Sequence, residues 1–196
     1  VADDAARLKN AVSKPVLVAG RINQPQTASE ILSEGKADMI GMARALIADP
    51  EFVKKVAQNK SDHIRACIGC NQACVWHRLT HHPISCIQNP RTGREQLFQN
   101  TNLSQSTKTV MVIGGGPGGM KAAVTAAEHG HRVLLFEQQA RLGGQVNLAE
   151  LLPGRAEFGG VTTNLVHELE RNSVDVYLNS TVSSGTVNEF EPDAII

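Results

Sequence analysis

The residues whose spacing most clearly indicates chemistry are the four cysteines of the chain. Cys67, Cys70, Cys74 and Cys86 lie within twenty residues with the spacing C-x2-C-x3-C-x11-C. Three thiols in one tight loop suit a cubane iron–sulfur cluster, which presents several iron corners to nearby ligands, and Cys86 would close the fourth corner. The pattern predicts one [4Fe–4S] cluster held by all four thiolates.

Zinc bound by the same four thiolates is the main alternative, and unligated thiols are another. Zinc sites more often pair two C-x2-C knuckles, and the second half of this pattern is not a knuckle. The loop also contains His77, His81 and His82. Four thiolates already complete a site, so we interpret these histidines as surface residues or neighbours of the ligands.

Composition restricts the classes of partner. The chain has 196 residues, zero formal net charge and a pI of about 7.2, so nothing electrostatic indicates nucleic acid or an anionic membrane. No apolar run approaches the roughly 20 residues of a spanning helix. Thiols interpreted as metal ligands favour a reducing compartment. We therefore expect a cytoplasmic protein whose partners are small molecules or proteins.

Residues 1–60 alternate strand and helix as parallel sheets require. The pattern predicts a strand at 16–20, a helix at 26–33 with Ile31 and Leu32 facing inward, and a strand at 37–42. This spacing suits any doubly wound α/β fold. The sharper interpretation is the end of an eight-stranded barrel, whose last loops commonly hold a phosphate.

Two arginines follow the two predicted strands of this segment. Gly20 and Arg21 come after the first strand, and Ala43 and Arg44 come after the second. Small residues and guanidinium groups at the carboxyl ends of neighbouring strands suit a phosphate site. By itself the signal is weak, because an arginine after a strand is usually solvated.

Residues 61–107 contain the cysteines and lack sustained periodicity. The part up to residue 95 cannot bury enough apolar surface to fix itself, so we expect its order to come from the bound metal. Residues 96–107 are polar and uncharged, which is typical of a connecting stretch. We place a domain boundary near Lys108.

Residues 108–196 open with a strand at 109–113, a glycine run and a helix at 120–130. Between a strand and a helix, each glycine of a G-x-G-x-x-G pattern has a physical role in binding a dinucleotide. Gly114 permits the tight turn, Gly116 lets the backbone approach a pyrophosphate, and Gly119 allows close packing of helix on strand. The amino terminus of the helix then faces the phosphates.

Glu137 ends the next predicted strand, 132–136, and lies 21 residues after Gly116. A carboxylate there accepts hydrogen bonds from ribose hydroxyls and would repel the 2′-phosphate of NADP. The pattern predicts a Rossmann-like dinucleotide-binding domain. The alternative is a glycine-rich turn followed by an unrelated acidic residue.

Taken together, these motifs resemble the iron–sulfur flavoproteins that include trimethylamine dehydrogenase and bacterial dienoyl-CoA reductase, relatives of old yellow enzyme. The resemblance is carried by PVLVAGRI and ADMIGMARALIADPEF, by IRACIGCNQAC and CIQNP, and by KTVMVIGGGPGG, VLLFEQQ and ARLGGQ. It implies an α/β chain with three parts: the C-terminal end of a TIM (β/α)8 barrel, a [4Fe–4S] cluster loop and a truncated Rossmann-like domain.

The resemblance also implies cofactor contacts. FMN phosphate would be held at the positions of Gly20, Arg21, Ala43 and Arg44, and the cluster by the four cysteines. In the third part, FAD, or ADP in the amine dehydrogenases, would contact Gly118, Glu137, Gln145, Arg155 and the backbone of Val182. The assignments of Gln145 and Val182 rest on the resemblance alone.

In the reductases of this family, electrons from NAD(P)H pass through FAD, the cluster and FMN to an enoyl or dienoyl-CoA substrate. In the amine dehydrogenases they leave FMN through the cluster for an electron-transfer flavoprotein. The resemblance favours the reductase and leaves the amine dehydrogenase as the alternative. A non-catalytic alternative is a nucleotide-binding module in which the cysteines bind zinc and only stabilise their loop.

We expect the chain to be an internal piece of a longer polypeptide that does not turn over substrate alone. It supplies two of the eight strands that close a barrel, and the acids and bases that contact substrate in this family lie in earlier strands. We therefore assign no catalytic residue. Residues 192–196 have the pattern of the start of a buried strand.

Overall fold

Parallel strands organise both units into which the chain divides, residues 1–94 and residues 95–196. The computed structural model describes residues 1–98 and 103–196. Part of the predicted connecting stretch, residues 99–102, lies outside the described residues. The α/β fold with parallel sheets is confirmed, whereas the three-part division and its place in a closed barrel stay predictions.

The first unit contains two strands and a series of short helices. Within the described residues these are α1 (Ala2–Ala11), β1 (Leu17–Ala19), α2 (Pro25–Ser33), β2 (Met39–Gly41), α3 (Arg44–Ala48), α4 (Phe52–Ala57), a 3-10 turn (Ser61–His63), a π-helical turn (Gln72–Trp76) and α5 (His77–Leu79). β1 and β2 pair in parallel with Leu17 opposite Met39. Their carboxyl ends therefore lie side by side.

The core of the first unit is formed by small and β-branched side chains from both strands and the flanking helices. Val16 and Val18 pack with Ile31 of α2. Leu32 was expected to face inward but is 44% exposed. Successive helical residues point about 100° apart, so burial of Ile31 turns its neighbour away from the strands.

The second unit is a four-stranded parallel sheet in the order β5-β4-β3-β6. Its elements are a 3-10 turn (Glu95–Phe98), β3 (Thr109–Ile113), α6 (Pro117–Glu128), β4 (Arg132–Phe136), α7 (Val146–Ala149), a 3-10 turn (Ala156–Gly159), α8 (Gly160–Arg171), β5 (Asp175–Tyr177), α9 (Ser184–Phe190) and β6 (Ala194–Ile195). The predicted strand at 192–196 is present as β6, but Ile195 is exposed.

The sheet of the second unit is covered on both faces, as its continuous apolar strands indicate. On one face Val112 and Leu135 pack against Val124 of α6 and Leu169 of α8. On the other face Met111, Leu134 and Phe136 pack against Tyr177, Val182, Val187 and Phe190. No helix among the described residues is long and apolar enough to cross a membrane.

Gly119 and Gly118 provide a matched test of the packing between α6 and β3. A Cβ at Gly119 would overlap the carbonyl oxygen of Gly114, whereas a Cβ at Gly118 would meet open space. We expect Gly119→Ala to lower the free energy of unfolding by about 1–3 kcal/mol. Gly118→Ala should raise it by up to about 1 kcal/mol, because alanine is the better helix former.

Urea unfolding followed by circular dichroism measures both effects. Equal midpoints for the two alanine variants would contradict the close approach of α6 to the end of β3.

Candidate functional site

The carboxyl ends of β1 and β2 open into a pocket of about 130 Å³, which we call the strand-end pocket. The four residues that the sequence assigns to a flavin phosphate all line it: Gly20, Arg21, Ala43 and Arg44. They meet there because parallel strands place their carboxyl ends at one edge. Two guanidinium groups beside open backbone give this pocket the chemistry of a phosphate site.

The backbone after β1 turns sharply to shape this pocket. Gly20 has φ +148° and Arg21 has φ +58°, which is the left-handed region. A non-glycine residue in the left-handed region, such as Arg21, raises the conformational free energy of the backbone by roughly 1–2 kcal/mol. Strain of this kind is concentrated at binding sites, and the guanidinium of Arg21 lies against Gly69.

The four cysteines line a second, smaller pocket, the cysteine pocket, together with apolar side chains including Ile47, Ile68 and Ile87. All four thiols are half-buried. Burial raises the pKa of the Cys70 thiol, and the neighbouring sulfurs of the other three cysteines raise it further against the opposing effect of the Gln72 backbone N–H. The structure therefore brings the four sequence-predicted sulfur ligands together.

No three or more His, Cys, Asp or Glu side chains in residues 1–98 and 103–196 form a group that could hold a metal ion. A single zinc ion needs its thiolates to converge at about 2.3 Å. A cubane attaches each thiolate to a different iron, so its ligands stand further apart. The four thiols line one largely apolar pocket, and the cluster itself stays a prediction.

Asp49, which the sequence analysis did not single out, holds the chain segment that leads to the cysteines. Its carboxylate is 2% exposed and accepts hydrogen bonds from the backbone N–H of Glu51 (3.1 Å), Lys55 Nζ (2.6 Å) and the backbone N–H of Arg65 (2.8 Å). Lys55 Nζ also donates to the carbonyl of His63 at 2.9 Å. This arm of the loop is fixed by protein groups.

The arm that follows Cys86 is held in a similar way. Asn89 Nδ2 and Thr92 Oγ1 donate to the carbonyl of Ile47 at 3.1 and 3.0 Å. Gln88 Nε2 donates to the carbonyl of Ala66 at 2.9 Å and joins the two arms. Polar side chains therefore fix both ends of the loop, and ordering of residues 61–95 by a bound metal stays a prediction.

The glycine turn of the second unit has the geometry of a phosphate-binding loop. Gly114 has φ +111°, and the space in front of Gly116 is open. Gly116 precedes α6 and provides no side-chain cap, so a bound anion could accept hydrogen bonds from the first N–H groups of the helix. Gly143 N–H donates to the carbonyl of Gly115 at 2.8 Å, which packs the 142–144 turn on this loop.

Glu137 is 7% exposed and both of its carboxylate oxygens accept backbone hydrogen bonds. Oε2 accepts from Gly115 N–H at 2.7 Å and Oε1 from Gln139 N–H at 2.8 Å. A carboxylate has about four acceptor positions, so two remain for ribose hydroxyls. Glu137 thus fixes the glycine turn, a role that the sequence analysis missed.

The remaining sequence-predicted contacts are more scattered. Gln145 is exposed and directly precedes α7. Arg155 is exposed, with its guanidinium 5.0 Å from the ring centroid of Phe158. Val182 packs on the apolar face that includes Phe136. The nucleotide contacts of these three residues stay predictions.

Two family models match the chain in succession. Residues 2–63 match the NADH:flavin oxidoreductase / NADH oxidase family, and residues 109–195 match the FAD dependent oxidoreductase family. The strand-end pocket lies in the first match except for Cys67, and the glycine turn lies in the second. The order of the two matches is the one that the sequence motifs predict.

Similar proteins include an NADH oxidase of Thermoanaerobacter brockii, 39% identical over 98% of this chain and 30% of the relative. An N,N-dimethylglycine/sarcosine dehydrogenase of Chromohalobacter salexigens is 40% identical over 98% of this chain and 28% of the relative. A solved structure of a 2-naphthoyl-CoA reductase superposes with a TM-score of 0.93 at 30% identity, over 97% of this chain and 29% of that one.

The chain spans about three tenths of the length of the curated relatives it matches. Within that span the similarity runs through both family matches and the cysteine segment between them. The resemblance that the motifs indicated is confirmed: residues 2–63 belong to the NADH:flavin oxidoreductase / NADH oxidase family and residues 109–195 to the FAD dependent oxidoreductase family, and the relatives that match nearly the whole chain are an oxidase, a dehydrogenase and a reductase.

Proposed function

We propose that this chain carries cofactor sites of an oxidoreductase in which electrons move between FAD, a [4Fe–4S] cluster and FMN. The observation that carries the proposal is the position of Cys67, which lines both the strand-end pocket and the cysteine pocket. A cluster ligand would thus form part of the flavin pocket wall. Flavins supply two-electron chemistry, and the cluster supplies the one-electron step between them.

In this proposal each cofactor is bound by its own set of residues. Arg21 and Arg44 bind the FMN phosphate beside the open backbone of Gly20 and Ala43. Cys67, Cys70, Cys74 and Cys86 bind the cluster. The glycine turn and Glu137 bind FAD or ADP, with Gln145, Arg155 and Val182 as further contacts. Since the thiols act as metal ligands, we also infer a cytoplasmic location.

We favour NAD(P)H-dependent reduction of an enoyl or dienoyl-CoA type of small molecule. The similarity to an NADH oxidase and to a 2-naphthoyl-CoA reductase supports this direction of electron flow. The alternative is an amine dehydrogenase that passes electrons to an electron-transfer flavoprotein. The 40% identity to a dimethylglycine/sarcosine dehydrogenase supports that alternative.

An assay of the full-length protein separates the two activities. We expect NAD(P)H to reduce its bound flavin and an α,β-unsaturated thioester to reoxidise it. A protein that instead oxidises a methylated amine, holds ADP and is not reduced by NAD(P)H would contradict the reductase assignment. The isolated residues 1–196 should show neither activity, because the proposed substrate-contacting groups lie outside them.

Cys86→Ser should lose most of the iron, because one of four proposed ligands is removed and ligation is coupled to the order of the loop. Iron and sulfide analysis, together with broad visible absorption that dithionite bleaches, measures the loss. The neighbouring Ser85→Ala is the control and should keep its iron. Stoichiometric zinc without iron in anaerobically prepared wild-type protein would contradict the cluster.

Glu137→Ala should weaken binding of FAD and ADP by roughly 1–3 kcal/mol, the scale of hydrogen bonds to a charged group. Both lost ribose contacts and a loosened glycine turn contribute. Titration calorimetry of flavin-depleted protein measures the change, and the exposed Glu189→Ala of α9 is the control. An unchanged dissociation constant would show that the carboxylate does not recognise the nucleotide.

A further inference from the structure

The cluster loop contacts the strand-end pocket from three neighbouring positions. The carbonyl of Cys67 accepts a hydrogen bond from Asn23 Nδ2 at 2.7 Å. Asn71 Oδ1 accepts one from Arg44 Nη1 at 2.6 Å. Gly69, between them, lies against the guanidinium of Arg21. Segment 67–71 therefore forms a wall of the strand-end pocket and contacts both Arg21 and Arg44, the arginines proposed to bind phosphate.

Gly69 shows how closely this wall approaches Arg21. It has φ +64°, and a Cβ built on it would overlap the Arg21 guanidinium. Glycine meets both demands of the position, because it adopts the left-handed region without strain and leaves room for the arginine. A shift of the loop would thus move or release Arg21.

Asn71 determines where the second arginine lies. It has φ +59°, a conformation in which asparagine is enriched among non-glycine residues. It stands between Cys70 and Cys74, so cluster ligation fixes its backbone on both sides. Its amide oxygen uses one of the five N–H donors of Arg44 and leaves the others for a ligand.

We propose that Asn71 is a positioning residue that holds Arg44 in the strand-end pocket and so couples the order of the cluster loop to the affinity for FMN. The proposal rests on the proposed function, since it takes FMN phosphate as the occupant of this pocket. The coupling is reciprocal: a loop ordered by the cluster tightens FMN binding, and bound FMN protects the cluster to the same extent.

The test measures FMN binding to flavin-depleted full-length protein by quenching of flavin fluorescence. Asn71→Gly removes the amide but keeps a backbone that adopts the left-handed region. We expect the dissociation constant for FMN to rise about 5–10-fold, the scale of one net hydrogen bond, with iron content unchanged. Asn59→Gly is the control, because Asn59 is exposed, has φ +56° and lines neither pocket.

A double-mutant cycle shows whether Asn71 acts through Arg44. In an Arg44→Ala background, Asn71→Gly should not weaken FMN binding further. Additive losses in the double variant, or an unchanged dissociation constant in Asn71→Gly alone, would overturn the positioning role. Wild-type protein that fails to bind FMN at all would instead contradict the proposed function.

Chelation of iron provides a readout independent of flavin binding. Saturating FMN should slow the loss of iron to a chelator in the wild type and in Asn59→Gly, and this protection should be smaller in Asn71→Gly. Equal protection in all three proteins would show that the Asn71–Arg44 hydrogen bond does not couple the two sites.

Discussion

The buried carboxylate of Asp49 is the interaction on which the functional part of the first unit depends. A buried charge is tolerated only when it is paired and hydrogen-bonded, and Asp49 has three donors. Helix α3 has five residues, too few to be stable in isolation. Its position is therefore set by tertiary contacts: Ala45 and Ala48 are buried, and at its end Asp49 and the side chains that donate to the Ile47 carbonyl hold it. Because Arg44 begins this helix, the same contacts place the proposed phosphate ligand.

The second unit uses a carboxylate in a comparable way. Glu137 spans from the glycine turn to the chain after β4 through two backbone N–H groups. The turn is thus ordered by the protein itself, so binding of the proposed nucleotide would cost less conformational entropy. In both units a buried acid holds the chain through backbone N–H groups: Glu137 holds the glycine turn after β3, and Asp49 holds the turn after α3 and the segment that leads to the cysteines. The acid that the sequence analysis found, Glu137, directly follows a strand, whereas Asp49 follows a helix.

Periodicity and glycine spacing were sufficient to predict most strands, the helices α2 and α6 and the residues that meet at each strand end, whereas α1, α8 and β5 were not predicted. They could not predict what holds the loop between the cysteines. The bonds of Asn23 and Asn71 join residues 44 and 27 positions apart, in segments without a repeat. Asparagine in a loop is ordinarily a turn residue, so its type gave no sign of these partners. Similarly, the pattern placed both Ile31 and Leu32 on the inward face, and Leu32 is exposed because burial depends on how α2 lies on the strands.

In the first unit an acid, Asp49, and an amide, Asn71, both act as hydrogen-bond acceptors. Which type stands at each position follows from where negative charge is tolerated. Arg44 lines both the strand-end pocket and the cysteine pocket, so it lies beside the proposed sites of an anionic phosphate and of four thiolates. A carboxylate at position 71 would hold the arginine but would also neutralise it and repel both anions. An amide holds it without a charge. Asp49 can be an acid because its partners are Lys55 and backbone N–H groups. In the first unit, the neutral acceptor Asn71 beside the proposed cofactor sites and the charged Asp49, which lines neither pocket, leave the positive charge of Arg44 available to the proposed ligands.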